Sequence, residues 1–141
     1  MEKKENSLLT VKVEINASLD VVWKCWTSPE DIVQWNTASE EWHTTKAENE
    51  LKIGGKFNYR MEAKDGSFGF DFWGIYDEIK TKEKLKITLG DNRKMYVEFS
   101  DNKGNSIVTE SFEAESENSI EQQRFGWQCI LDNFKKYVEQ K

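Results

Sequence analysis

The chain has 141 residues, and its 26 acidic and 20 basic side chains give a net charge of −6 with no long Lys/Arg stripe, so nucleic acid is not an expected partner. Met1 to Asn6 is charged, and no apolar stretch approaches the roughly 20 residues that span a bilayer, so a cytoplasmic protein without membrane insertion is the default reading. Charged residues make up 33%, yet six Trp, eight Phe and four Tyr supply the core surface that disordered chains lack, enough for one domain over residues 1–141.

Leu9, Val11, Val13 and Ile15 alternate with Thr10, Lys12, Glu14 and Asn16, which predicts a half-buried opening strand. Ser18 caps a short helix with Leu19, Val22, Trp23 and Trp26 at helical spacing. Ser28-Pro29-Glu30-Asp31 then restarts the chain as a second helix, docked by Ile32, Val33 and Trp35. From about Glu41 to Ala114 the pattern is antiparallel sheet. Lys56 to Ala63 places Phe57, Tyr59 and Met61 on one face, and Asp65-Gly66 predicts a two-residue hairpin with a primed turn. Phe68 to Ile79 returns from it. Leu85, Ile87 and Leu89 mark the next strand and Met95, Val97 and Phe99 another; Asn102 to Asn105 turns into Ser106 to Ala114.

Ser119 to Lys141 reads as one helix of roughly 33 Å at about 1.5 Å per residue. Ile120, Trp127, Ile130, Leu131, Phe134 and Val138 form its apolar stripe, and Ser119 with Gln122 makes a capping box. The order is strand, two short helices, six strands and a long helix, which predicts an α+β fold.

Trp26-Thr27-Ser28-Pro29-Glu30, Gln34-Trp35, Gly54-Gly55-Lys56-Phe57 and Gly126-Trp127 through Tyr137, set in this order, resemble the bacterial Aha-type proteins. Asp65-Gly66-Ser67, Gly69-Phe70-Asp71-Phe72 and Gly74-Ile75-Tyr76-Asp77-Glu78-Ile79 are similar to a stand-alone bacterial subgroup. These are homologues of the domain that activates the heat-shock-protein-90 ATPase, within the START-like, SRPBCC or polyketide-cyclase superfamily. The resemblance implies a helix-grip fold like that of the Bet v allergens, in which a curved seven-stranded sheet grips the terminal helix over a cavity for apolar or aromatic ligands. It supplies no catalytic motif. The chaperone-activating homologues carry an additional amino-terminal domain, for which a chain whose first strand begins at about Leu8 leaves no room.

On that fold the inward faces of Phe57, Tyr59, Met61, Phe70, Phe72, Val97, Phe99, Val108, Trp127 and Ile130 are the expected ligand-binding wall, unless large side chains fill the space. Glu110 joins them if Val108 and Phe112 face inward, as a group that fixes a ligand or acts as a general base; Ile107 keeps the opposite register open. Asp71 has the other parity, and Gly74 marks a bulge or a close approach. His43 is the sole histidine, which excludes multi-histidine metal centres, and no nucleophile motif accompanies it. Cys25 and Cys129 fit reduced thiols in separate helices. Gly54-Gly55 reads as a turn rather than a phosphate cradle, and Lys80 to Lys84 as a solvated turn. No cofactor is implied. Three functions compete: a binder of a small hydrophobic or aromatic molecule such as a lipid or polyketide-like compound, a chaperone-associated interaction module, and a cyclase or dehydratase.

Overall fold

The computed structural model describes residues 8–141, so the charged stretch Met1 to Asn6 lies outside the described residues. Alternation produces β1 (Leu8–Ile15), which buries Leu9, Val11, Val13 and Ile15 and leaves the residues between them exposed. Ser18 caps α1 (Leu19–Thr27), its hydroxyl accepting the Val21 N–H at 3.4 Å. α2 (Pro29–Trp35) follows with Pro in its first turn and Glu30 and Asp31 beside its positive end. Ser28 holds the cap position without a side-chain cap bond. Asp31 is drawn inward and buried, held by Lys24 at 3.0 Å and by the Tyr137 hydroxyl and Lys141 from the far end of the chain.

Six further strands follow: β2 (Trp42–Asn49), β3 (Lys56–Ala63), β4 (Gly69–Lys80), β5 (Lys84–Leu89), β6 (Lys94–Asn102) and β7 (Asn105–Glu113). They pair antiparallel in the order β1-β7-β6-β5-β4-β3-β2, so β2 to β7 form a meander and β1 adds to its last strand. α3 (Ile120–Glu139) lies along β1 on the concave side. This is the helix-grip α+β architecture. α1 and α2 close one end of the groove, where Trp26 and Trp35 meet Phe134 of α3 edge-on at 4.9 and 4.7 Å.

The turns depart from expectation in an instructive way. Only Gly66 takes positive φ (79°) between β3 and β4, whereas a type I′ turn needs two such residues. The chain makes a wider loop instead: the Gly66 N–H donates to Ala63 C=O, and the Asp65 carboxylate accepts the Ser67 N–H at 2.8 Å. The primed hairpin falls at Lys103-Gly104, whose φ values are 56° and 94°.

α3 begins with the expected capping box, but Ile120 is 37% exposed and does not join the stripe. Gln123 is buried in that turn, accepting the Glu115 N–H and donating to the carbonyls of Glu115 and Asn118. The helix is thereby tied to its approach loop. No helix among the described residues is long and apolar enough to cross a membrane.

Candidate functional site

Between α3 and the inward faces of β3, β4 and β7 lies a cavity of about 260 Å³. β3 contributes Phe57, Tyr59 and Met61, β4 contributes Phe70 and Phe72, β7 contributes Glu110, and α3 contributes Trp127 and Ile130. Phe112 stacks flat on Trp127 at 3.8 Å and Phe72 meets it edge-on at 6.1 Å, which fixes the indole as the roof.

Three residues of the expected wall do not border this space. Val97, Phe99 and Val108 are buried without bordering it: Val97 lies beside Glu110 on the next strand, and Phe99, opposite Val108, lies under α1. Trp23 and Trp26 pack edge-on against Phe99 at 5.2 and 5.7 Å. Strand parity says which face a side chain takes, not which helix lies over it.

The remaining wall comes from residues that sequence reasoning gave other duties. Trp26 and Trp35 dock their helices and also close the inner end, with Asn36 beside them. Tyr76 escaped because both faces of β4 carry bulky groups. Gly74 resolves that ambiguity: a side chain there would meet Ile87 at 2.8 Å and Phe57 at 2.9 Å, so it marks a close approach, and the register shift falls later, between Tyr76 and Glu78. Phe70, Phe72 and Tyr76 therefore point inward, while Asp71 is exposed on the outer face beside Asn58 and Arg60. Ile87 and Met95 sit on the alternation already read in β5 and β6. Arg93 carried no signal: it comes from the β5–β6 turn, and its guanidinium donates to Asp91 and to Glu113 C=O.

The polar groups on this wall are unevenly satisfied. Asn36 donates to Thr44, Tyr76 donates to Asn49 at 2.6 Å, and the Trp35 indole donates to Cys25 C=O at 2.9 Å. Neither Tyr59 (7% exposed) nor Glu110 (5% exposed) has a side-chain hydrogen-bond partner among the described residues. Burial without a compensating partner pushes the Glu110 carboxyl up to about 8 from the usual 4.5. Burial, reinforced by Tyr76 and Glu110, likewise moves the Tyr59 phenol well above its ordinary range. At neutral pH both groups are protonated hydrogen-bond donors.

Phe70, 38% exposed, stands at the rim of the cavity. Trp42 and Phe68 gather round it with ring centres about 6 Å apart. His43 is exposed on β2, and Cys25 and Cys129 are free thiols in α1 and α3. No cluster of metal-ligating side chains occurs among the described residues.

The family described as "Activator of Hsp90 ATPase homolog 1-like protein" matches residues 16–139. Among solved structures, an AHSA1-like protein from Aeromonas hydrophila shares 41% identity with a TM-score of 0.86, covering 94% of this chain and 93% of its own. Chr148 from Cytophaga hutchinsonii shares 45% identity with a TM-score of 0.81, covering 93% and 91%. CV1439 from Chromobacterium violaceum, at 18% identity and a TM-score of 0.83 over 94% and 98%, is similar in fold alone. No curated protein sequence matches the chain.

Proposed function

The chain belongs to the family of activator of Hsp90 ATPase homolog 1-like proteins, and from that premise we propose that it binds a small hydrophobic or aromatic molecule between the sheet and α3. The observation that carries this reading is a cavity of about 260 Å³ walled by aromatic side chains and open at one end. A closed, dry void of that size would cost about 6 kcal/mol at roughly 24 cal/mol per Å³, so a space that is open at one end and carries polar groups holds water or a ligand that displaces it. An apolar cavity of about 150 Å³ already accommodates benzene, so the space suits a ring compound or a short acyl segment, not a whole two-chain lipid.

The test is native mass spectrometry of freshly purified protein, followed by titration of Trp fluorescence with apolar ring compounds. A bound mass, or saturable quenching lost in Phe72→Trp, which fills the space, is the expected result. Absence of binding across a diverse panel removes the proposal. A second reading, contact with a chaperone, is favoured by the family description and by the uncovered outer face of the sheet, where Trp73 lies half-exposed over Gly90 with Lys56 4.5 Å above its ring. Failure to form a complex with a bacterial Hsp90 at high concentration dismisses it.

A further inference from the structure

Two features of the wall say more about the occupant than its volume does. Aromatic and aliphatic groups interact with any apolar molecule of the right size, but unpartnered polar groups buried nine-tenths or more are costly unless something they enclose satisfies them. Tyr59 and Glu110 are such groups, on β3 and β7, and the curl of the sheet turns both onto the same space. They do not bond to each other. Asn36, Tyr76 and Arg93 are engaged by the protein itself.

The character of the unspent groups is that of donors. A phenol and a carboxylic acid each offer one O–H, and an enclosed ligand oxygen with two lone pairs takes both. The ionisable groups around Glu110 are Tyr59 from β3, Tyr76 from β4 and Arg93 from the β5–β6 turn; α1, α2 and α3 present only Trp26, Trp35, Trp127 and Ile130. No base faces Glu110 to take its proton. With Glu110 protonated, Arg93 is the one charged side chain on the lining, and its positive charge disfavours an ammonium ligand in spite of the aromatic walls.

Building on the reading of the cavity as a ligand site, we propose that its ligand is a compound of one or two rings bearing a carbonyl oxygen, which accepts hydrogen bonds from the Glu110 carboxyl and the Tyr59 hydroxyl. The rings stack under Trp127 and against Phe57 and Phe72. The carbonyl end lies deep, and any substituent extends past Phe70 towards solvent.

The experiment compares three probes of nearly one shape: acetylnaphthalene, ethylnaphthalene and naphthylethylamine, titrated by calorimetry and by NMR shifts of the protein. Two net hydrogen bonds correspond to roughly tenfold tighter binding of the acetyl compound than the ethyl compound near neutral pH. This preference falls as pH is raised through about 8, when the Glu110 donor is lost. Tyr59→Phe and Glu110→Leu each remove one of the two donors and cut the preference to roughly threefold, read as the ratio of acetyl to ethyl affinity within the same variant. Glu110→Gln, which keeps a donor at that position, retains the preference and abolishes its pH dependence. Equal affinity for the acetyl and ethyl probes overturns the carbonyl assignment and leaves the apolar cavity standing. Tightest binding of the amine overturns it in favour of an ammonium–carboxylate site. If none of the three binds, the ligand-site reading fails and the assignment fails with it.

Discussion

One helix and one sheet enclose two unlike halves. Around the C-terminal half of α3 the core is solid: Leu131, Phe134 and Val138 are buried against α1, α2 and β1, and Phe134 has an indole edge on two sides. Around its N-terminal half the same helix faces the sheet with no third layer, and the cavity remains. The difference lies in the inserted pair of short helices. Their two Trp rings fill the groove where they reach, and the space begins where they stop.

The largest expected effect tests the solid half. Phe134 is fully buried, so Phe134→Ala is expected to destabilise by about 4 kcal/mol, the range for buried aromatic truncations. Phe72→Ala, beside a space already present, is expected to cost about half as much, because its ring is only half-buried. Urea denaturation of the two variants measures the ratio. Equal losses mean that the cavity half is as tightly packed as the other.

Next comes the buried acid. An ordinary carboxyl ionises at about 4.5, whereas folding holds Glu110 protonated up to about 8. Between those values the folded state binds more protons than the unfolded one, so this group's contribution to stability falls as pH rises and levels off above about 8. Near neutral pH the penalty is on the order of 3 kcal/mol, from about 1.4 kcal/mol per unit. Glu110→Leu is therefore expected to raise stability by about that much, with the gain shrinking towards acid pH. A pH series of denaturation midpoints that runs parallel for both proteins contradicts the assignment.

A smaller effect tests how freely the wall yields. At Gly74 an added methyl meets Ile87, Phe57 and the Thr88 carbonyl within 3.0 Å. In a solid core such overpacking costs about 1–3 kcal/mol. Ile87 and Phe57 both border the cavity and can shift into it, but the Thr88 carbonyl belongs to the paired backbone of β5, so Gly74→Ala is expected in the middle of that range, about 2 kcal/mol, with weaker ligand binding as the space narrows. Loss of stability without loss of binding means that the crowding is relieved elsewhere.

The solid half was also the more legible one in the sequence. Alternation in β1, β3, β5 and β6 placed the inward face while Ile107 left β7 undecided, helical spacing placed Leu131, Phe134 and Val138, and Ser119 with Gln122 fixed the start of α3. These are local patterns, and each depends on residues a few positions apart. The cavity is set by where α1 and α2 end over the sheet, a fact of chain path that no local pattern carries. Hence Val97, Phe99 and Val108 were buried as their parity required without bordering the space, Phe99 because α1 covers it, Trp26 and Trp35 proved to be boundary as well as core, and Arg93 arrived from a turn. Glu110 was reachable because Val108 and Phe112 flank it, although its lack of any partner was not.

The smallest effects concern the roof itself. The N-terminal half of α3 rests on its capping box and on Gln123 more than on a third layer, so Ser119→Ala, which leaves the Gln122 N–H without its acceptor, is expected to cost about 1 kcal/mol. Gly126 lies one turn further on with nothing within 4 Å of an added methyl, and Gly126→Ala is expected to stabilise by up to about 1 kcal/mol through helix propensity alone. Global denaturation should register both with opposite signs. Hydrogen exchange is the sharper readout, because fraying at the cap should speed exchange in the first turns of α3 while the amides around Phe134 stay protected. If exchange rises evenly along the helix, the two halves unfold together, and the hollow half is not an independently mobile roof.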